Sequence, residues 1–365
     1  MEILIVEPYD TGSHHQWMVG YQAASQHNVQ ILSLPGQFWK WRMQGGAVTL
    51  ARQFLASGLH PDVILASDML NLPVFLALTR QRTASLPVAV YFHENQLTYP
   101  LGPRQRKEIH FQLALINYQS ALAADACFFN SAFHRESFFA ELPRILKHYP
   151  DFNELQTIDG LRQRSAVLPL GLDLQRFDAF HCKREPDAPS LILWNHRWEY
   201  DKNPRAFLNA LYRLNEDGFA FRVALTGESF RQQPEEFEAA RVVLGERIVQ
   251  YGYVERFEDY ARLLWQADVQ VSTAYHDFFG VSTCEAIYCG CVPLLPNRLN
   301  YPALIPARYH DEYLYHEGYV YQALRRWLEK PQPAPPELRA HVAQFDWQYM
   351  APRYDEALAA LVRNN

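Results

Sequence analysis

Short apolar runs rich in β-branched and aromatic residues alternate with segments of helical pattern along the chain. In the first half these runs are EILIVEP, VQILSLP, DVILAS, PVAVYF, ACFFNS and SAVLPLG. The rhythm restarts in the second half with SLILWNHR, FRVALTG, RIVQYGYV, ADVQVSTA and CVPLLP. Strands that alternate with helices form parallel sheets with helices on their faces. The sequence therefore predicts an α/β protein with two parallel sheets, one in each half.

The chain of 365 residues is long enough for two domains with separate cores. A polar, proline-containing segment at residues 178–189, DAFHCKREPDAP, is typical of an interdomain linker. A proline-rich break, PQPAPP, precedes an aromatic amphipathic helix near the C-terminus. We therefore predict domains at residues 1–180 and 181–345, and a helix at 346–365 that packs back on the first domain.

Composition restricts the class of protein. The net charge is −6, so an RNA site, which usually lies in a basic domain, would have to be a local patch. The first residues, MEILIVEPYD, lack the basic flank and long apolar stretch of a signal peptide, and no long apolar run predicts a membrane span. Five cysteines, an odd and small number, favour a reducing compartment. We expect a cytoplasmic protein with no membrane partner.

The cysteine pair Cys289 and Cys291, in CGCVPLL, is an arrangement that can suggest a metal site. It lacks a second group of ligands and lies in an apolar stretch, which favours buried structural thiols. We therefore predict neither a metal nor a cofactor.

Polar residues directly after an apolar run are informative, because ligands of an open parallel sheet bind beyond the carboxyl ends of its strands. After EILIVEP, Gly12 and Ser13 are expected to form a tight turn before a helix. Backbone N–H groups of such a turn can hold an anion. The alternative is a turn that needs its glycine only for backbone geometry.

Four polar residues follow PVAVYF at a predicted strand end: His93, Glu94, Asn95 and Gln96. Burying polar groups costs free energy unless they are hydrogen-bonded, so we expect these four side chains to have a functional or a structural role. That role is either binding at a crevice between the domains or a hydrogen-bonded loop that ties the two lobes together.

Two cations follow the apolar run SLIL in WNHRWEYDKNP, where Arg197 stands five residues before Lys202. Arg offers a planar fork of donors and Lys a compact charge. Together they can neutralise the charge that builds on a departing nucleoside diphosphate. Ordinary surface charges are the alternative.

Two carboxylates, Asp277 and Glu285, flank a glycine-containing turn in STAYHDFFGVSTCEAIYCGC that is predicted to enter a helix. The first can reach a sugar ring from the loop, and the second can accept hydrogen bonds from ribose hydroxyls. Backbone N–H groups near Phe279 and Gly280 would fill the space between them. Two acids at this spacing are common by chance, but their place after a strand, together with the Arg and Lys pair, predicts a sugar-nucleotide site.

Four of these segments, HRWEYDKNP, LTGESF, YGYV and HDFFGVSTCE, resemble in the same order those of GT-B retaining glycosyltransferases related to sucrose and glycogen synthases. The resemblance implies two Rossmann-like domains that face each other across a cleft. It implies that Arg197 and Lys202 bind the donor diphosphate, Asp277 the sugar and Glu285 the ribose. The usual first acid is Glu, so Asp277 departs from the commonest pattern with a shorter side chain. The other predicted donor-site residues are Gly12, Ser13, Gly227, Tyr253, Phe279 and Gly280.

Five longer motifs of the first half are more specific: EPYDTGSHHQW, LPGQFWKWR, ASDMLNL, YFHENQLTYP and FFNSAFHRESF. They resemble the tRNA-queuosine alpha-mannosyltransferase family, as do WNHRWEYDKNP and DFFGVSTCEAIYCGC in the second half. The resemblance implies transfer of mannose from GDP-mannose to the cyclopentenediol of queuosine at the wobble position of tRNA-Asp.

A mechanism follows from this resemblance. The donor would lie between the lobes, with its diphosphate on Arg197, Lys202 and the Gly12 turn and with His93 against the sugar hydroxyls. Front-side attack with retention is favoured, in which a donor phosphate oxygen takes the acceptor proton and the protein supplies positioning and charge. Glu94 as a base or nucleophile is the alternative. The predicted catalytic residues are His93, Glu94, Arg197, Lys202 and Asp277.

Two basic segments of the chain are predicted to bind the tRNA. Lys40, Trp41 and Arg42 in FWKWR combine a ring that can stack on an unpaired base with charges that neutralise phosphates. GPRQRK adds three more cations just after the HENQ motif. A solvated face is the alternative for either segment. The other predicted acceptor-side residues are His14, Asn95, Gln96, Arg104, Arg106 and Lys107.

Three other functions stay open on the sequence. A GT-B enzyme for a lipid or glycan acceptor would have an apolar groove in place of a basic one. A UDP-galactose donor would fit an enzyme that acts on queuosine in another tRNA. A sugar-nucleotide-binding protein without catalysis gains support from Asp277 in place of Glu. The oligomeric state is not determined by the sequence.

Overall fold

The protein forms two compact units in a computed structural model that describes residues 1–100, 107–148, 150–185, 187–228 and 235–364. One unit contains Met1–Leu172 and Trp347–Asn365, and the other contains Asp173–Asp346. Each unit has a six-stranded sheet in which every described pair of strands is parallel. The α/β class with two parallel sheets is therefore confirmed.

The sheet of the first unit has the strand order β2-β1-β3-β4-β5-β6. Its strands are β1 (Glu2–Asp10), β2 (Asn28–Pro35), β3 (Val63–Ser67), β4 (Val88–Phe92), β5 (Ala126–Phe129) and β6 (Ser165–Val167). The helices that connect them are α1 (Gly12–Ala24), α2 (Trp39–Ala56), α3 (Leu72–Thr83), α4 (Lys107–Ala123), α5 (Ala132–Leu146) and α6 (Thr157–Gln163). Every residue of β3, β4 and β5 is buried, as helices on both faces of a parallel sheet require.

The sheet of the second unit has the order β12-β11-β10-β7-β8-β9. Its strands are β7 (Leu191–Asn195), β8 (Arg222–Thr226), β9 (Ile248–Tyr251), β10 (Val269–Val271), β11 (Val292–Pro296) and β12 (Leu314–Tyr315). Its helices are α7 (Pro204–Glu216), α8 (Glu235–Leu244), α9 (Phe257–Gln266), α10 (Val281–Tyr288), α11 (His310–Tyr313), α12 (Val320–Glu329) and α13 (Pro336–Ala343). In the described ranges, each helix is too short or too polar to span a membrane.

The last helix, α14 (Trp347–Asn364), belongs to the first unit and packs on α1. The Tyr21 hydroxyl donates to Asp355 at 2.8 Å, and the Trp17 indole N–H donates to the Tyr354 hydroxyl at 3.3 Å. A Cβ added to Gly20 would lie 2.0 Å from the Trp347 indole nitrogen, so the small residue permits close contact. Aromatic residues of α14 therefore complete the packing around α1.

The second unit begins at Asp173, several residues before the predicted boundary at 180/181. Asp346 accepts hydrogen bonds from the backbone N–H groups of Leu174 and Gln175, both at 3.0 Å. The Phe177 ring is buried in the same unit, and its carbonyl accepts the Trp265 indole N–H at 2.9 Å. The second unit therefore begins before the predicted linker, with residues that backbone hydrogen bonds to Asp346 hold in place.

Strand order places a switch point in each sheet, where successive connections run to opposite sides. In the first unit it lies between β1 and β3, and in the second between β7 and β10. Ligands of open α/β sheets bind beyond the carboxyl ends of the strands at such points. Each unit has a cluster of buried polar side chains at this place.

Candidate active site

Lys202 is the central cation of the cluster in the second unit. It ends a short 3₁₀ turn, Tyr200–Lys202, that follows β7, and the residue is only 8% exposed. Its ammonium donates to the His276 carbonyl at 2.7 Å and lies 3.4 Å from Asp201 and 3.7 Å from Asp277. One carbonyl and two carboxylates thus surround the buried ammonium, and these contacts offset part of the cost of removing it from water.

Asp277 lies in the loop between β10 and α10. Its carboxylate accepts the Phe279 backbone N–H and the Tyr301 hydroxyl, each at 3.3 Å. Burial would raise the pKa of Asp277, but the charges of Lys202, His196 and His276 outweigh burial and lower it. The side chain is therefore an ionised acceptor, which can accept hydrogen bonds from hydroxyl groups.

The turn between Asp277 and α10 depends on Gly280. Its φ of +98° is in the left-handed region, which suits glycine, and it is the N-cap of α10. A Cβ there would lie 2.9 Å from Leu304 Cδ1. The predicted glycine turn into a helix is present, and the Phe279 N–H that was expected to face the ligand also binds Asp277.

Glu285 lies on α10, the helix that directly follows the loop of Asp277. Its carboxyl accepts the Tyr260 hydroxyl at 2.8 Å, and Tyr260 in turn accepts from the Asn195 amide at 3.2 Å. Burial raises the pKa of Glu285 to about 7, against the lowering effect of the Tyr260 hydrogen bond. Near neutral pH the group can thus either accept or donate a hydrogen bond, and both suit a ribose hydroxyl.

Gly227 and Arg197 lie around the carboxyl end of β7. A Cβ on Gly227 would stand 1.8 Å from the His196 carbonyl oxygen, so glycine is required where the chain leaves β8. The Arg197 side chain is partly exposed, with its guanidinium 3.6 Å from Glu199. Tyr253 is 62% exposed beyond β9. Of the predicted donor residues, Lys202, Asp277 and Gly280 therefore form one tight group, Arg197 and Gly227 border it, and Tyr253 lies at the surface.

The first unit contains a second buried cluster at the end of β1. Gly12, with φ +51°, begins α1, so the predicted turn before a helix is present. In the first turn of the helix, His14 Nδ1 lies 2.8 Å from the Glu7 carboxylate, and both side chains are buried. The His14 and His93 rings are 4.2 Å apart between centroids. The predicted sugar and acceptor residues, His93 and His14, are thus in contact, with their ring planes tilted by 38°.

The HENQ segment is held by its own hydrogen bonds. Asn95 accepts the backbone N–H groups of Leu97 and Thr98, both at 3.0 Å. Gln96 donates its amide to Glu94 at 2.9 Å and is buried, as is Asn95. These contacts favour a structural task for Asn95 within the loop, and its binding role, like that of Gln96 and Glu94, stays a prediction.

Glu7, His14 and His93 offer ligand atoms that lie within 4.8 Å of one another. At 2.8 Å, however, Glu7 and His14 are at hydrogen-bond distance, whereas two ligands on one tetrahedral zinc ion at about 2.0 Å each stand roughly 3.3 Å apart. The geometry is that of an ion pair, and the expectation of no metal stays a prediction.

The predicted RNA segment FWKWR lies at the start of α2 as an exposed surface. Trp41 is 63% exposed, Lys40 lies over the Trp39 ring at 5.4 Å, and Arg42 donates to the Pro35 carbonyl at 3.1 Å. The other predicted cations, Arg104 and Arg106, are outside the described residues, and of Lys107 only the backbone, as the first residue of α4, is described. One of the two basic segments is therefore placed, with an aromatic ring accessible for stacking.

Sequence reasoning missed several residues that organise both clusters. Glu7 was hidden inside the apolar run EILIVEP, and Asp68 directly follows β3 in the motif ASDMLNL. Tyr260, which binds Glu285, lies on α9 and is remote in sequence. Asp68 carried a usable signal, since it stands at the end of a strand at the switch point.

The structure can be compared with solved glycosyltransferases. Sucrose-phosphate synthase of Thermosynechococcus elongatus is similar with a TM-score of 0.74 and 15% identity over 100% of both chains. HepE of Anabaena, solved in complex with UDP, is similar with a TM-score of 0.70 and 15% identity over 99% of this chain and 100% of that one. At such identities the similarity establishes the fold, and residues 176–342 match the family of group 1 glycosyl transferases. The fold and the site define a glycosyltransferase of the GT-B type.

Residues 2–172 match the family model described as tRNA-queuosine alpha-mannosyltransferase N-terminal. A tRNA-queuosine alpha-mannosyltransferase of Drosophila melanogaster is 37% identical over 312 residues, which are 83% of this chain and 81% of that protein. The chain belongs to the tRNA-queuosine alpha-mannosyltransferase family. A more distant relative, 25% identical over 64% of this chain and 56% of its own length, is a GDP-mannose-dependent alpha-(1-6)-phosphatidylinositol dimannoside mannosyltransferase of Mycobacterium tuberculosis. The predicted family and enzyme class are confirmed.

Proposed function

We propose that this enzyme transfers mannose from GDP-mannose to the cyclopentenediol of queuosine at the wobble position of tRNA-Asp, in the cytoplasm. The observation that carries the proposal is the match of the first unit to a queuosine-specific family, because the second unit matches a domain that glycosyltransferases share. The GDP-mannose dependence of the mycobacterial relative supports the donor.

The second unit supplies the donor site in this proposal. Lys202 and Arg197 neutralise the diphosphate, and the ionised Asp277 accepts hydrogen bonds from the sugar. Glu285, with a pKa of about 7, binds the ribose hydroxyls. These fixed charges act on the departing GDP without a bound metal.

Transfer with retention then proceeds by front-side attack. The acceptor hydroxyl gives its proton to a donor phosphate oxygen, while its oxygen bonds to the anomeric carbon as the bond to GDP breaks. The protein positions the two substrates and stabilises the leaving charge. Glu94 as nucleophile, which would divide the transfer into two inversions, is the alternative route.

The direct test is transfer of radiolabelled mannose from GDP-mannose to tRNA that contains queuosine, beside tRNA from cells unable to make it. Label is expected on the first tRNA alone, and on tRNA-Asp within it. Parallel reactions with UDP-galactose test the other donor. Label on neither tRNA, despite binding of GDP-mannose, would contradict the proposal and favour a lipid or glycan acceptor or a non-catalytic binding protein.

The surface at the start of α2 is proposed to contact the anticodon loop. Replacement Trp41→Ala removes an exposed ring that can stack on a base, an interaction of about 1–3 kcal/mol, so tRNA affinity should fall about 5–150-fold. GDP-mannose affinity should not change. Filter binding of tRNA and calorimetry of GDP-mannose measure the two affinities.

The matched control is Tyr349→Ala, which removes an exposed ring from α14 of the same unit. It should leave tRNA affinity unchanged. Equal losses in the two variants, or none in Trp41→Ala, would remove the α2 surface from the RNA site.

A further inference from the structure

The buried cluster of the first unit contains an ion pair for which the proposed transfer mechanism has no task. Glu7 is fully buried at the end of β1, and its two carboxylate oxygens are both used. One accepts the Tyr9 backbone N–H at 2.8 Å, and the other accepts His14 Nδ1 at 2.8 Å. The His14 ring is therefore fixed in direction and held against a carboxylate that has no bulk water around it.

Burial by itself lowers the pKa of His14, but the charge and hydrogen bond of Glu7, with smaller contributions from Asp68 and Glu94, raise it to about 9. His14 is thus a cation through the neutral range. The folded protein holds this proton up to about pH 9, whereas an unfolded chain releases it near pH 6.5.

His93 lies against this cation with 4.2 Å between ring centroids and a tilt of 38° between the ring planes, and it is also buried. Its Nε2 has no hydrogen-bond partner among the described residues, nor has the second oxygen of Asp68, whose first oxygen accepts the His93 backbone N–H at 2.8 Å. Burial, followed by the charges of His14 and His134, lowers the pKa of His93 well below its usual value. An unpaired buried ring nitrogen costs free energy unless a ligand satisfies it.

We propose that the Glu7–His14 ion pair keeps the adjacent His93 ring neutral, so that its unpaired Nε2 can hydrogen-bond a substrate hydroxyl throughout the working pH range. Two imidazolium rings with centroids 4.2 Å apart repel each other strongly, and Glu7 decides which of the two carries the charge. Glu7 and His14 are positioning residues that act through His93. The activity readout of this inference rests on the proposed function.

Other charged groups face His93 from the elements around it. Asp68 follows β3, Glu94 is the next residue, and His134 lies on α5. Burial raises the pKa of Asp68 well above its usual range, against the lowering effect of His14, so this carboxyl is a weak counterion for His93. Of the neighbouring charges, His14 contributes most to the lowered pKa of His93, ahead of His134.

The test is an NMR titration of the full chain, labelled in histidine, for the wild type, Glu7→Gln and Asp10→Asn. Resonances are assigned by their loss in His14→Gln and His93→Gln. In the wild type, His14 should stay charged to about pH 9, and His93 should titrate well below the usual pKa of an imidazole. In Glu7→Gln, the His14 midpoint should fall below 7 and that of His93 should rise by roughly half a unit or more. The acid limb of the pH profile of kcat/KM should move to higher pH as the His93 midpoint rises.

Asp10→Asn is the matched control, because Asp10 pairs with His15 Nδ1 at 2.7 Å in the same turn but at an exposed site. It should change neither midpoint. A neutral His14 at pH 7 in the wild type would overturn the proposal, and this measurement does not depend on whether Glu7→Gln folds. Stoichiometric zinc on His14 and His93 would also overturn it, since a ligating imidazole carries no extra proton.

The two proposals fail in different ways. If no tRNA accepts mannose while the titrations behave as expected, the proposed acceptor is wrong and the ion pair stands. If transfer occurs but His93 titrates identically in the wild type and Glu7→Gln, the ion pair does not set its charge, and the function stands.

Discussion

Lys202→Met should reduce kcat/KM for mannose transfer by about 10³-fold, the loss typical of removing a group that stabilises charge in the transition state. Lys202 is the buried cation between Asp201 and Asp277, and its loss leaves two carboxylates facing each other. The pKa of Asp277 should rise, because Lys202 now helps to lower it. Breaking a buried pair should also cost about 3–5 kcal/mol of unfolding free energy. Transfer kinetics and chemical denaturation measure both effects.

Two further variants separate chemistry from folding. Lys202→Arg keeps the charge and should retain more stability than Lys202→Met, while transfer stays impaired because the ammonium fits its carbonyl and two carboxylates closely. Lys330→Met removes an exposed Lys after α12 and should leave transfer unchanged. Retention of more than a third of wild-type kcat/KM by Lys202→Met would show that this cation does not stabilise the leaving GDP.

Gly227→Ala should cost about 3 kcal/mol of unfolding free energy and weaken GDP-mannose binding at least tenfold. The added methyl group would lie 1.8 Å from the His196 carbonyl oxygen and 2.7 Å from its carbon, so the ends of β7 and β8 must separate. This displacement moves the segment that leads to Lys202. Thermal unfolding and calorimetric titration with GDP-mannose measure the two losses.

Gly160→Ala makes the same change in α6, where an added Cβ meets nothing within 4 Å. Replacing a helical glycine of this kind by alanine raises the free energy of unfolding by up to about 1 kcal/mol. Stability should therefore rise or stay level, and donor affinity should stay at the wild-type value. If Gly227→Ala behaves like Gly160→Ala, the β7 and β8 ends are more adaptable than the contact distance implies.

Much of the donor site was determined by local sequence. Apolar runs that alternate with helical segments specify strands buried on both faces, and this pattern needs no long-range information. Asp277, Gly280 and Glu285 follow from one contiguous stretch, because a glycine turn that enters a helix fixes the loop and helix positions of the two acids. Arg197 and Lys202 likewise follow from their place after a strand.

The tertiary structure decided what depends on distant parts of the chain. Tyr260 reaches Glu285 from another helix, and Asp346 fixes the start of the second unit through backbone groups near residue 174. Glu7 looked like one polar residue in an apolar strand until α1 brought His14 against it. Local pattern determines which residues follow a strand, but only packing determines which charges are buried together, and burial sets their pKa values and their chemistry.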